Sequence, residues 1–252
     1  MKRIIILTAL LLMSVVGAMA QTSAERWEAG NKAYIEGNYD KAIEEYTAIL
    51  DGGEYSMKLY YNLANAYFKV GANGKAILYY NKALRIAPSQ EDIRHNLALA
   101  EAQTKDRIVE IPEFFLNRWL RTMRNSMSCT AWSVLSLVWL GVMLAFGLLF
   151  LLASRIRVRK VGFYGALCGF LLFVVTTSFA ISSRNDMLLH DEAIVMGTAI
   201  SVKSSPDRSA TDLFVLHEGT KVKVLTEVDE WVEVVIADGK KGWTLKSNIE
   251  TI

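Results

Sequence analysis

A chain of 252 residues with formal net charge +2 and 52% apolar residues is long enough for one or two ordinary domains. Its charge is segregated: residues 21–106 carry 10 basic against 12 acidic side chains, residues 182–252 carry 8 against 12, and residues 107–181 carry 8 against 2. The mildly acidic outer parts lack the basic face that nucleic acid requires, so no nucleic-acid partner is expected.

The N-terminus has Lys2 and Arg3, an apolar run from Ile4 to Val16, and Gly17-Ala18-Met19-Ala20 before Gln21. A positive start, a short apolar centre and a small-residue ending read as a secretory signal over 1–20, cleaved after Ala20. The competing reading is a third, uncleaved span.

Residues 21–106 repeat with a period of 34. The shift places Trp27 on Tyr61, Gly37 on Gly71, Ala42 on Ala76, Tyr46 on Tyr80 and Leu50 on Leu84, and Asn62-Leu63-Ala64 recurs as Asn96-Leu97-Ala98. Such a period predicts stacked helix–turn–helix units, here two repeats and a capping helix from Glu91. LYYNLANAYFKVGANGKAILYYNKALRIAP (residues 59–88) resembles the tetratricopeptide repeat (TPR) at almost every key position. The first repeat departs from that pattern, with Ala33 where a large tyrosine is expected. The resemblance implies a peptide-binding groove lined by Trp27, Asn31, Tyr61, Asn62, Asn65, Phe68, Lys69 and Asn96. For Trp27, Tyr61 and Phe68, packing between repeats is the equal alternative. Alanine at Asn62 and Asn65 is expected to weaken capture without unfolding the array.

Residues 107–130 form a linker. Pro112 is placed to open a helix, with Phe115, Leu116, Trp119, Leu120 and Met123 on one face and Arg118, Arg121 and Arg124 on the other. A basic amphipathic helix beside a span is expected to lie in the membrane interface.

Residues 131–153 and 161–181 contain no charged residue. A helix needs roughly 20 apolar residues to cross a hydrocarbon layer of about 30 Å, so each segment reads as a transmembrane span. The basic loop 154–160 between them forces an antiparallel hairpin. With a signal peptide at the front, this loop is expected in the cytoplasm and both flanking parts in the periplasm, anchored in the inner membrane. Cys129 and Cys168 lie at different depths of the hairpin, so neither a disulfide nor a metal site is expected. Gly165 and Gly169 have the spacing of close helix packing, for the hairpin itself or for a second copy.

From Asp191 the pattern becomes short alternating runs: Ala193-Ile-Val, Ala199-Ile-Ser-Val, Lys221-Val-Lys-Val-Leu, Trp231-Val-Glu-Val-Val and Gly242-Trp-Thr-Leu. Asp238-Gly239 signals a hairpin turn. Five strands in about 60 residues predict a small all-β barrel within 182–252. The order of the pieces, from Val202-Lys-Ser-Ser-Pro206 to Gly239-Lys-Lys-Gly-Trp243, resembles a bacterial SH3-like domain. Such domains bind wall peptides or protein segments, or act as spacers, and Trp231 and Trp243 are the groove candidates, with half-buried packing the favoured alternative.

The fold class expected is therefore a multidomain membrane protein: an all-α TPR solenoid, a two-helix transmembrane hairpin and an SH3-like barrel. No catalytic arrangement stands out, because His95, His190 and His217 lie in different regions without Cys or carboxylate at metal spacing. No enzyme activity, cofactor or metal is expected. The module order resembles the BatE-like family of aerotolerance-operon proteins. That resemblance implies an envelope scaffold linked to oxygen or oxidative stress tolerance, with von Willebrand A-type membrane proteins as partners beside the lipid bilayer. The alternative is attachment to peptidoglycan through the SH3-like domain.

Overall fold

The computed structural model describes residues 22–252 except 110, 113, 189 and 190. The expected signal segment and His190 lie outside the described residues.

The 34-residue period emerges as helix pairs. A helix over residues 22–35 (α1) is followed by α2 (Tyr39–Asp51), α3 (Met57–Lys69), α4 (Asn73–Ile86) and α5 (Glu91–Glu101). Gly37 and Gly71, one period apart, both have φ of +79°, the left-handed conformation that closes one helix and turns into the next. Asn38 and Ser56 cap α2 and α3 by accepting the Lys41 and Leu59 amide hydrogens. Ala42, Tyr46, Leu63 and Ala66 bury the space between α1, α2 and α3, and Ala64, Ala76, Tyr80 and Ala83 that between α3 and α4. Alanine at the crossings lets the backbones approach, and the tyrosine rings fill what remains.

The amphipathic helix α6 spans Phe115–Arg124, with Pro112 three residues ahead of it and Phe114 as its N-cap, so Pro112 does not open the helix. None of its residues is buried, and Phe115, Leu116, Trp119, Leu120 and Met123 all face outward. α7 (Cys129–Leu152) and α8 (Ile156–Leu188) then pack antiparallel on each other. Both are long and apolar enough to cross a membrane, with only 6% and 17% of their most apolar stretches buried. The connection is tighter than the expected seven residues: only 153–155 lie between the helices, and Arg157, Arg159 and Lys160 belong to the first turns of α8. At its other end α8 runs past Ile181 to Leu188, because Arg184 and Asp186 end the apolar run without ending the helix.

Close packing in the hairpin rests on glycines of α8. A Cβ on Gly162 would lie 2.6 Å from the Phe150 nitrogen, one on Gly165 2.4 Å from the Phe146 ring, and one on Gly169 3.0 Å from the Met143 nitrogen. The Gly165–Gly169 spacing therefore serves the internal pair.

The C-terminal module is a seven-stranded antiparallel sheet, where five strands were expected. Its strands are β1 (Glu192–Val195), β2 (Ala199–Lys203), β3 (Asp212–His217), β4 (Lys221–Val228), β5 (Trp231–Val235), β6 (Lys241–Leu245) and β7 (Ile249–Thr251). The order is β3-β2-β6-β5-β4-β1-β7, and among the described residues β3 and β7 remain edges, so the hydrogen bonding does not close into a barrel. Val195, Val202, Val222, Val232 and Val234 make its core. The turn after β5 places Gly239 at φ +87°, as Asp238-Gly239 predicts.

The two modules that flank the hairpin are one packed body. Ile194, Met196 and Ile252 of the sheet join Ile77, Leu78 and Ile93 of the repeats in a single apolar cluster. Lys75 pairs with Glu250 at 2.5 Å. The chain leaving α5 lies along the sheet: Ile108 packs on its core, and the Ile111 amide donates to the Ala237 carbonyl.

Candidate functional site

Three helices, α1, α3 and α5, carry the residues expected to line the groove, and the structure links them by a network that repeats with the helices. The Asn31 Oδ1 accepts from the Tyr46 hydroxyl at 2.8 Å and from the Asn62 amide at 3.1 Å. One period on, the Asn65 Oδ1 accepts from the Tyr80 hydroxyl at 2.6 Å and from the Asn96 amide at 3.1 Å. Asn96 also donates to the Tyr61 hydroxyl at 3.0 Å. The links made by Asn31 and Asn65 are 34 residues apart and follow the recurrence of these asparagines and tyrosines, whereas the Asn96–Tyr61 bond falls where the first repeat has Trp27.

The buried rings explain why asparagine stands there. Tyr46 and Tyr80 are each 1% exposed, and a buried hydroxyl without an acceptor costs about 1–3 kcal/mol. Burial pushes both phenols above their ordinary pKa. Asn65 thus supports the array through the buried Tyr80 hydroxyl, so its replacement by alanine is expected to cost stability even where the array stays folded. Asn65→Ala is expected to lower unfolding stability by about 1–3 kcal/mol, read from urea titration of the full chain in detergent. Asn62→Ala costs less, because Asn31 keeps its bond from Tyr46.

The aromatic candidates are packing residues with one face outward. Trp27 lies 5.7 Å from the Tyr46 ring, Tyr61 lies 6.1 Å from Tyr80, and Phe68 packs against the second repeat's core; all three are half-buried. Lys69, at the end of α3, is exposed. The bonds bring Asn31 to Asn62 and Asn65 to Asn96 and Tyr61, and Trp27 joins through Tyr46, whereas Phe68 packs on the core and Lys69 is placed only by its position on α3. Trp231 and Trp243 do not make a comparable site: Trp243 is half-buried and Trp231 is only 7% exposed, so Trp231 does not line an open groove.

Sequence reasoning missed the residues that dock the sheet. α4 has Ala72 as its N-cap and so no side-chain cap of its own, and the Glu218 carboxylate of the C-terminal module accepts the Gly74 amide hydrogen at 2.8 Å. A carboxylate at a helix N-terminus also meets the positive end of the helix dipole. A Cβ on Gly74 would strike Glu218 at 2.7 Å, so the glycine is what admits it. Asp106, after α5, accepts from the His217 backbone amide at 2.7 Å and the Thr220 hydroxyl at 2.6 Å, and its other oxygen lies 2.6 Å from the His217 Nδ1.

A third junction holds α6 and the repeats to the hairpin. Arg124 of α6 pairs with Asp186 at 2.7 Å and donates to the Ser182 hydroxyl at 2.8 Å, both on α8. The Trp132 indole donates to the Arg124 carbonyl, and Arg85 of α4 donates to the Asp186 carbonyl.

Comparison with known families agrees with the two modules. Residues 58–90 match the tetratricopeptide repeat, and residues 198–250 match the bacterial SH3 domain. No curated protein matches the chain at a significant level. The class so defined has a helical TPR region and an SH3-like sheet flanking two long apolar helices, with modules suited to protein interaction.

Proposed function

We propose that this chain is a non-enzymatic, membrane-anchored scaffold of the cell envelope whose TPR groove captures a segment of a protein partner. The observation that carries this reading is where the SH3-like module docks. It docks on α4, the second helix of its repeat, through Gly74 and Lys75, while Trp27, Tyr61 and Phe68 on α1 and α3 stay half-exposed and Lys69 exposed. The bonds within the groove use the oxygens of Asn31 and Asn65 and the amino groups of Asn62 and Asn96. The opposite half of each amide suits the carbonyls and amides of an extended peptide.

In this reading α7 and α8 cross the inner membrane, and both modules stand in the periplasm beside α6. The module order supports a place in an aerotolerance or oxidative-stress complex with von Willebrand A-type membrane proteins. Wall-peptide binding through Trp231 and Trp243 is the weaker alternative, since Trp231 is buried.

The test is recovery of partners from native membranes in mild detergent, comparing the wild type with Lys69→Glu combined with Asn62→Ala. The variant is expected to recover at least about tenfold less partner, the equivalent of one charge-assisted contact, while losing no more thermal stability than Asn62→Ala alone. Undiminished recovery overturns the groove as the binding site.

A further inference from the structure

The turn of the hairpin concentrates charge of one sign. Arg155, Arg157, Arg159 and Lys160 stand close together in the chain, and no Asp or Glu occurs from Phe114 to Asn185. All four cations are exposed, and among the described residues none of them is ion-paired. A cleft of about 280 Å³ lies beside them, lined by Arg159 and Lys160 together with Phe150, Ile156, Phe163 and Tyr164. Cations and apolar rings thus share a single space. The Phe150 and Phe163 rings are 5.9 Å apart, Phe163 and Tyr164 are 5.4 Å apart, and the Arg159 guanidinium lies 5.2 Å from the centre of the Phe150 ring. That last contact orients Arg159 without neutralising it. From the cleft, Lys160, Tyr164, Leu167 and Leu171 follow at helical spacing and are all exposed, so one face of α8 runs from the cations into the uncharged stretch.

We propose that this cleft binds the headgroup of one anionic phospholipid, with Arg159 and Lys160 on its phosphate and an acyl chain laid along Tyr164, Leu167 and Leu171. A phosphate takes charge-assisted donors, and a hydrocarbon takes the apolar face that begins beside them. The cleft is smaller than the roughly 300–1,000 Å³ that encloses a whole drug-sized ligand, so it holds a headgroup and leaves the chains on the helix surface. A soluble phosphate would use the cations and leave that face bare. The proposal rests on the membrane reading of α7 and α8, which sets the turn at a bilayer surface. Bound there, the lipid fastens the turn to one leaflet.

The full chain, purified in mild detergent, is reconstituted into phosphatidylcholine vesicles with and without phosphatidylglycerol and washed with alkaline carbonate. Retained lipid is then read by native mass spectrometry in concentrated ammonium acetate, which screens charges that do not touch the lipid. The wild type is expected to stay in both vesicles and, from the mixed ones, to carry one phosphatidylglycerol in preference to phosphatidylcholine. Arg159→Gln with Lys160→Gln is expected to reduce that preference about tenfold or more. Arg155→Gln with Arg157→Gln removes the same charge outside the cleft and is expected to reduce it less than about threefold. Equal losses from the two pairs overturn the cleft in favour of diffuse attraction. A wild type that stays in the vesicles yet shows no preference overturns the lipid site alone. Release of the wild type by carbonate overturns the membrane reading and the site with it. Displacement of the lipid by millimolar inorganic phosphate overturns the lipid in favour of a soluble anion. The wild-type preference is read first, so a variant that fails to fold does not shield the proposal.

Discussion

Replacing Gly162 with leucine is expected to force α7 and α8 apart and to lower the hairpin's resistance to denaturation by about 3 kcal/mol or more. The reason is geometric. The obstructing atoms are backbone, the Phe150 nitrogen at 2.6 Å and Cα at 2.8 Å from where a Cβ would sit, and backbone cannot rotate aside. Gly165 faces the Phe146 ring, whose rotation relieves part of the clash, so Gly165→Ala is expected to cost less. Gly147 is the internal control: nothing lies within 4 Å of its Cβ position, and Gly147→Leu should be close to neutral for the isolated chain. Unfolding by titrated sodium dodecyl sulfate, followed by helix circular dichroism, ranks the three. Equal effects at Gly162 and Gly147 would contradict the helix pairing described above.

The second large effect concerns Asp106, whose carboxylate gathers three groups of the C-terminal module. Asp106→Ala removes the acceptor for the His217 amide and the Thr220 hydroxyl and the partner of the His217 ring. Hydrogen bonds to a charged group are worth about 1.5–3 kcal/mol each at most, and Asp106 is largely shielded, with 15% of its side chain exposed. A loss of roughly 3 kcal/mol in docking is the expected sum after relaxation, read as faster hydrogen exchange in β3 and β4. The same carboxylate gives the docking an acid limit. Burial pushes its pKa up, but the bonds from Thr220 and from the His217 amide and ring outweigh it and hold the carboxyl below its ordinary value of 3.8. A depressed carboxyl contributes its full stabilisation above that ordinary value, and the contribution disappears as pH falls through the lower, folded-state value. Docking should therefore weaken below about pH 4. Asp191, held down by its bond from Lys223, adds a share of its own. The difference between the wild type and Asp106→Asn isolates the part due to Asp106, and identical acid profiles would remove Asp106 from the account.

These effects sit at points of unequal visibility in the sequence. The repeats were legible because the same requirement, a small residue at a crossing and a ring beside it, recurs every 34 positions. The two long apolar helices were legible from their lack of charge, but not their ends, since the charges of Arg184 and Asp186 end the apolar run without ending the helix. β3 was missed because Leu213 and Val215 on its outer face are about half exposed while Phe214 and Leu216 turn inward. That arrangement reads as an unbroken apolar run where alternation was sought. β7 has only three residues, too few to show a period. The docking of the modules was invisible for a different reason: Glu218 and Gly219 look like turn residues and Asp106 like linker, and only their partners far along the chain give them meaning.

In the candidate groove the roles of the asparagines overlap. Asn65 and Asn96 serve the buried tyrosine network and the exposed surface at once, so a substitution chosen to test binding also tests stability. Lys69, exposed at the end of α3, separates the two.

The central claim is that the TPR and SH3-like modules form one body on one side of a membrane crossed by α7 and α8. The measurement that tests it most directly is thiol labelling of intact cells with a membrane-impermeant maleimide. The background chain carries Cys129→Ser and Cys168→Ser, and single cysteines replace Lys58, Asp238 and Ser154 in turn. The account predicts labelling at 58 and 238 from the outside, and labelling at 154 only after the membrane is opened. Positions 58 and 238 on opposite sides would contradict it, because the packed interface from Gly74–Glu218 to Lys75–Glu250 cannot form across a bilayer.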